Sequence, residues 1–195
     1  MFNALDFVKK EIESSVQTKI KMMEDPVILK QIAEITDAVI ACYKNGGKTI
    51  LAGNGGSAGD AQHIAGEFVS RFYFERPGLS SISLSSDPSV VTAIGNDYGY
   101  ENVFARQVQA HGRKGDVFFG ITTSGKSPNI LKAVEVAKTI GMKTVAMTSA
   151  KGGDFAAMCD FSVQVPSTIT PKIQECHITI GHAICAGVEE ALFKK

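Results

Sequence analysis

From Thr49 onward, short runs of β-branched and aromatic residues alternate with longer amphipathic stretches. The strand candidates are residues 49–52, 81–84, 116–121, 143–147 and 161–165, and the helix candidates between and after them are 58–72, 102–110, 129–140 and 172–191. Asp87-Pro88 opens a further short helix. Strands this apolar, each followed by a helix, can bury both faces only in a parallel sheet covered on either side. The pattern therefore predicts an α/β fold, a three-layer sandwich around a five-stranded parallel sheet.

Two helices precede that core. Residues 7–23 carry Phe7, Ile12, Val16 and Ile20 at helical spacing, and residues 27–43 carry Ile28, Ile32, Ile35 and Val39. Between them, Asp25 is a helix N-cap and Pro26 a first helical residue, while Asn45-Gly46-Gly47 ends the second helix. The expected organisation is one domain over residues 1–195, with a helical hairpin at 1–46 and the α/β core at 47–195. The hairpin carries more apolar positions than one sheet face needs. It either packs wholly within the chain or meets copies of itself.

Twenty basic residues balance twenty acidic ones, so no global field draws the chain to nucleic acid or an anionic membrane. Anion binding has to be local. Asp6, Lys9, Lys10, Glu11 and Glu13 exclude a secretory leader, and no apolar run approaches the roughly 18 residues a bilayer requires. Cys42, Cys159, Cys176 and Cys185 show neither C-x-x-C nor disulfide-like spacing and read as reduced, buried thiols. A cytoplasmic protein is expected.

Two glycine-containing turns follow strands. Gly53-Asn54-Gly55-Gly56-Ser57 ends the first strand and opens a helix, a position where ligands collect in open α/β sheets. It is neither a dinucleotide fingerprint nor a Walker loop, and a tight turn would also need its glycines. The third strand feeds Thr122-Thr123-Ser124-Gly125-Lys126-Ser127, whose four hydroxyls at a helix start suit a phosphate. A helix cap accounts for one or two hydroxyls, not four.

His63 and Glu67 lie one turn apart on the helix behind the first of these turns, and Gln174 and His182 interrupt an apolar C-terminal helix. Residues i and i+4 share a helix face, so His63 and Glu67 can converge on a metal or a moving proton. A buried histidine–glutamate hydrogen bond is the alternative. His177 faces away from His182 and reads as structural, and His111 reads as an exposed loop residue. Asp60 either orients His63 or is a first-turn helix acid.

G-N-G-G-S before a helix, G-I-T-T-S-G-K-S after a later strand and I-Q-E-C-H in the last helix resemble the sugar isomerase (SIS) domain. Within it, the H-x-x-x-E pair with the Gln174–His182 pair resembles the bacterial phosphoheptose isomerases over essentially the whole chain. That resemblance implies a flavodoxin-like SIS fold with an N-terminal helical hairpin. It also implies interconversion of sedoheptulose 7-phosphate and D-glycero-D-manno-heptose 7-phosphate through an enediol. Glu67 would be the base and His182 the acid, and one zinc per subunit would be held by His63, Glu67, Gln174 and His182. Asn54, Gly55, Gly56, Glu67, Asn96, Asp97, Thr122, Thr123, Ser124, Ser127 and Gln174 would bind the phosphorylated seven-carbon sugar.

Read without the resemblance, Asn96-Asp97 fits a glycine-flanked turn equally well, and glutamine is an uncommon zinc ligand. The resemblance further implies a homotetramer with hairpins at its centre and Glu67 meeting His182 at or near a chain boundary. The product heptose would supply lipopolysaccharide or capsule. Lys126 stands where asparagine is more usual, which adds charge near the phosphate, and residues 167–171 lack a common acidic residue. A non-catalytic SIS protein, binding a phosphosugar or the replication initiator, is the competing class. Glu67 and His182 favour the enzyme over it.

Overall fold

The computed structural model describes residues 2–194. Helices α1 (Ala4–Glu24) and α2 (Pro26–Lys44) form the N-terminal hairpin. The core then runs β1 (Thr49–Gly53), α3 (Gly56–Val69), β2 (Ser81–Ser83), α4 (Pro88–Tyr98), a 3₁₀ turn (Tyr100–Asn102) and α5 (Val103–His111). It continues through β3 (Val117–Ile121), α6 (Pro128–Ile140), β4 (Lys143–Ser149), α7 (Gly153–Met158), β5 (Phe161–Val165) and α8 (Thr170–Phe193).

The five strands pair in parallel in the order β2-β1-β3-β4-β5. Side chains alternate across the pleat and feed two cores. Leu51, Phe119, Val145 and Val163 pack with α2, α3 and α8 on one face, and Ile50, Phe118 and Ala146 pack with α5 and α6 on the other. The strand order reverses between β1 and β3, whose ends are in register at Gly53 and Ile121. At such a switch point the following loops diverge to opposite faces and leave a crevice. Both turns singled out in the sequence, 53–57 and 122–127, flank it.

Helix starts follow their local chemistry. Asn3 accepts from the amides of Leu5 and Asp6, and Asp25 accepts from those of Val27 and Ile28 with Pro26 behind it. Three expectations need correction. Asn96 and Asp97 sit in the last turn of α4 rather than in an open turn, because Asp87 caps a helix that runs on to Gly99. His111 ends α5 instead of lying in the following loop, though it is exposed as expected. The six-residue α7 has no counterpart in the sequence reading, since its glycine start hides so short a helix.

The hairpin departs from simple internal packing. In α1 only Thr18 and Met22 are buried, whereas Phe7, Ile12 and Val16 are 51%, 60% and 48% exposed. The stripe that should have faced a core faces outward. In α2 the expected stripe does turn inward, with Ile28, Ile35 and Val39 buried against α8 and the sheet. Among the described residues, no helix is long and apolar enough to cross a membrane. All four cysteines are free, three of them buried, and burial pushes the Cys185 thiol up to about 12.

Candidate active site

Helices α3 and α8 lie side by side and run in the same direction. Gly56 faces Gln174 at their starts, and Ile64 packs into the space left by Gly181 further along. A Cβ at Gly56 would meet the Gln174 carboxamide at 2.5 Å, so glycine is what allows the contact. The alignment brings His182 beside His63. Their Nε2 atoms are 3.0 Å apart, and His63 Nε2 is 3.1 Å from Glu67 Oε1.

One donor atom from each of His63, Glu67 and His182 lies within 4.8 Å of the other two. Three potential ligand atoms are therefore close enough to meet at one centre. Donors around a tetrahedral zinc stand about 3.4 Å apart, so the set fits zinc after a small outward adjustment. All three come from one chain. Gln174 lies nearer the start of α8, the same helix as His182. Its carboxamide lies against Gly56, and about 12 Å of helix rise separates it from His182.

Asp60 does neither job considered for it. It lies beyond the first turn of α3 and makes no hydrogen bond to His63. Burial raises its carboxyl to about 6, against the lowering effect of the nearby His63 charge. His177 is structural as expected. It is fully buried, its Nε2 donates to the Thr148 carbonyl at 3.1 Å, and burial lowers its pKa to about 4.

The hydroxyl loop is organised but not as a helix cap. Ser127 is the N-cap residue of α6, yet its side chain makes no cap bond and lies 3.0 Å from Thr122 Oγ1. Ser124 Oγ is 3.5 Å from the same atom and accepts from the Lys126 amide. Gly125 has φ +67° and sits so close to Gly152 that a Cβ would meet its Cα at 2.7 Å, which brings the turn after β4 alongside. Between these turns and the start of α8 is a cavity of about 230 Å³, with Thr123, Ser124, Lys126, Ser149 and Lys151 in its wall.

A neighbouring cavity of about 340 Å³ opens on the other side of the loop, at Asn54, Tyr100 and Ser127. Here Asn54 and Asn129 exchange a reciprocal pair of amide hydrogen bonds at 2.9 and 3.0 Å, and Tyr100 donates to Asn54 Oδ1. Asn129, 2% exposed, and Tyr100 escaped the sequence reading. Asparagine one residue inside a helix start carries no signal by itself. Asn96 and Asp97 are exposed and hydrogen-bond each other.

A parallel sheet whose switch point faces a hydroxyl-rich loop, with a polar cluster between two helices behind it, is the architecture of a SIS domain. The SIS domain family profile matches residues 14–149, and the chain belongs to that family. Two relatives are a phosphoheptose isomerase of Aneurinibacillus thermoaerophilus and phosphoheptose isomerase 2 of Campylobacter jejuni. The first is 56% identical over 97% of this chain and 96% of its own length, and the second 57% identical over 100% and 97%. The solved phosphoheptose isomerase GmhA of Neisseria gonorrhoeae superposes with a TM-score of 0.90 at 37% identity, covering 96% of this chain and all of that one. That of Francisella tularensis gives 0.91 at 39% identity, over 97% of this chain and 100% of its own. Within the SIS family, the chain is a member of the phosphoheptose isomerases.

Proposed function

We propose that the protein converts sedoheptulose 7-phosphate to D-glycero-D-manno-heptose 7-phosphate in the cytoplasm, supplying heptose for a bacterial surface polysaccharide such as lipopolysaccharide or capsule. The observation that carries the reading is the Glu67–His63–His182 cluster, set between the same two helices whose starts lie by the phosphate-type loop. Thr122, Thr123, Ser124 and Ser127 hold the phosphate, with Lys126 and Lys151 supplying charge. Asn54, Gly55, Gly56, Gln174, Asn96 and Asp97 serve the sugar hydroxyls. By resemblance to the phosphoheptose isomerases, Gln174 would also be the fourth zinc ligand.

Isomerisation moves a proton between adjacent carbons and a second one between their oxygens. Glu67 takes the carbon-bound proton, leaving an enediol, and returns it to the neighbouring carbon. His182 serves the oxygens, donating to the carbonyl as it becomes a hydroxyl. His63, Glu67 and His182 would hold one zinc per subunit, and bound zinc would polarise the carbonyl and hydroxyl oxygens. Glu67 turns Oε1 toward His63, and its Oε2 has no hydrogen-bond partner among the described residues. One carboxylate oxygen would thus be available to the zinc and the other to the substrate.

The outward apolar stripe of α1 supports assembly into a homotetramer with hairpins at the centre. NMR of sedoheptulose 7-phosphate with the zinc-loaded protein tests the reaction directly. Appearance of the aldose signals is expected, and their absence would remove the assignment.

A further inference from the structure

Three residues outside the cluster are tied to both helices that carry it. Glu189, on α8 about 10 Å of helix rise beyond His182, is 1% exposed. Its carboxylate accepts from the backbone amides of Phe72 at 2.8 Å, Tyr73 at 2.6 Å and Phe74 at 3.4 Å, and from Arg76 Nε at 3.0 Å. Burial alone would raise this carboxyl, but the three amides and the guanidinium outweigh it and hold it below the usual range.

Arg76, 8% exposed, spends its remaining donors on the end of α3. Nη2 donates to the Glu67 carbonyl at 2.8 Å, and Nη1 donates to the carbonyls of Phe68, Ser70 and Pro77 at 2.7, 3.0 and 3.0 Å. The last carbonyls of a helix lack partners of their own, and a planar fork of donors is well shaped to collect them. One carboxylate and one guanidinium thus fasten the end of α3, the loop after it, and α8 to one another.

That loop carries Phe72. Its amide is held by Glu189, and its ring lies 5.5 Å from the His182 imidazole at an interplanar angle of 49°. The His63 ring is the other aromatic neighbour of His182, at 5.0 Å. A buried ion pair is weak evidence for added stability, because desolvation offsets most of its Coulomb attraction. What this pair does is grip the backbone of Glu67 on one helix and the backbone of a residue packed on His182 from the other.

We propose that Arg76 and Glu189 are positioning residues, which set the Glu67 carboxylate and the His182 imidazole relative to each other through the Glu67 carbonyl and the Phe72 ring. Phe72 is the packing contact that holds the imidazole in place. The inference rests on the isomerase reading for its catalytic consequence, and its geometric part stands apart from that reading.

The test uses zinc-loaded full-length protein with Phe72→Leu and Glu189→Gln. Readouts are kcat and KM for sedoheptulose 7-phosphate, zinc affinity by chelator competition, and the His182 ring proton shifts. Phe72→Leu keeps the ion pair, so the fold is expected to persist. Its kcat or zinc affinity should fall about tenfold, as for loss of other groups that orient metal ligands, with KM little changed. Glu189→Gln should lower the same quantity and also move the His182 signals, although Phe72 is still present.

Wild-type kcat and zinc affinity in Phe72→Leu would overturn the proposal. So would a Glu189→Gln protein altered in thermal stability alone, with its His182 signals unmoved. If Glu189→Gln does not fold, Arg76→Lys replaces it under the same two outcomes, since lysine keeps the charge but loses the fork. If the wild type does not turn over the sugar, the isomerase reading fails. The ring shifts and zinc affinity then decide the positioning claim by themselves.

Discussion

His182 Nε2 lies 3.0 Å from His63 Nε2 although 119 residues separate them in the chain. Two imidazole nitrogens can share one proton at that distance, or turn both lone pairs toward one ion. Glu67 Oε1, 3.1 Å from His63, adds a third donor of the hard, anionic kind that zinc accepts with imidazole.

Glu67→Gln keeps the shape of the side chain and removes the base. Turnover of sedoheptulose 7-phosphate should fall by about 10²–10⁴-fold, the usual contribution of a positioned general base. His182→Gln should fall comparably and also weaken zinc binding. NMR turnover assays and chelator competition read the two effects separately. Unchanged rates in both variants would discard the acid–base assignment.

Lys126 and Lys151 line the cavity at the hydroxyl loop and make no salt bridge among the described residues. Replacing both with methionine should raise KM about tenfold and leave kcat nearly unchanged, because uniform binding is lost rather than transition-state binding. Competitive inhibition by inorganic phosphate should weaken in parallel. A wild-type KM in the double variant would show that the lysines stay clear of the phosphate.

Phe7, Ile12 and Val16 present an apolar face to solvent in the single chain. Phe7→Glu with Ile12→Lys should break the proposed tetramer into smaller species without unfolding the core, which α1 touches mainly through Thr18, Met22 and the Glu11–Lys172 contact. Light scattering after size exclusion gives the mass. An unchanged tetramer mass would place the interface elsewhere.

His177 sets an acid limit on stability. Its pKa is about 4 when folded and 6.5 by default, so between those values the unfolded chain binds the proton that the folded chain refuses. The contribution is present above pH 6.5 and is lost as pH falls toward 4, by about 3 kcal/mol in all. His177→Gln should flatten the fall of denaturation midpoint across that window. An equally steep fall in the variant would assign the loss to other groups.

Periodicity carried most of the architecture. The near-continuous apolar runs at β1, β3 and β4 allow only a strand buried on both faces, and the caps at Asp25 and Asp87 are local signals that survive folding unchanged. His63 and Glu67 were readable for the same reason, since helical spacing alone puts them on one face. The sequence also supplied the hydroxyl loop, because four hydroxyls exceed what a cap uses.

The rest depends on which distant segments touch. Nothing in the spacing of α3 and α8 says that they run parallel, with Gly56 at Gln174 and Gly181 at Ile64. Yet that alignment brings His182 to His63 and keeps Gln174 at the other end. Arg76 and Glu189 look like ordinary surface charges in a sequence, where a charge shows no sign of its burial. Only the folded backbone, with carbonyls to satisfy at the end of α3 and amides to satisfy at 72–74, turns them into one buried pair beside the site.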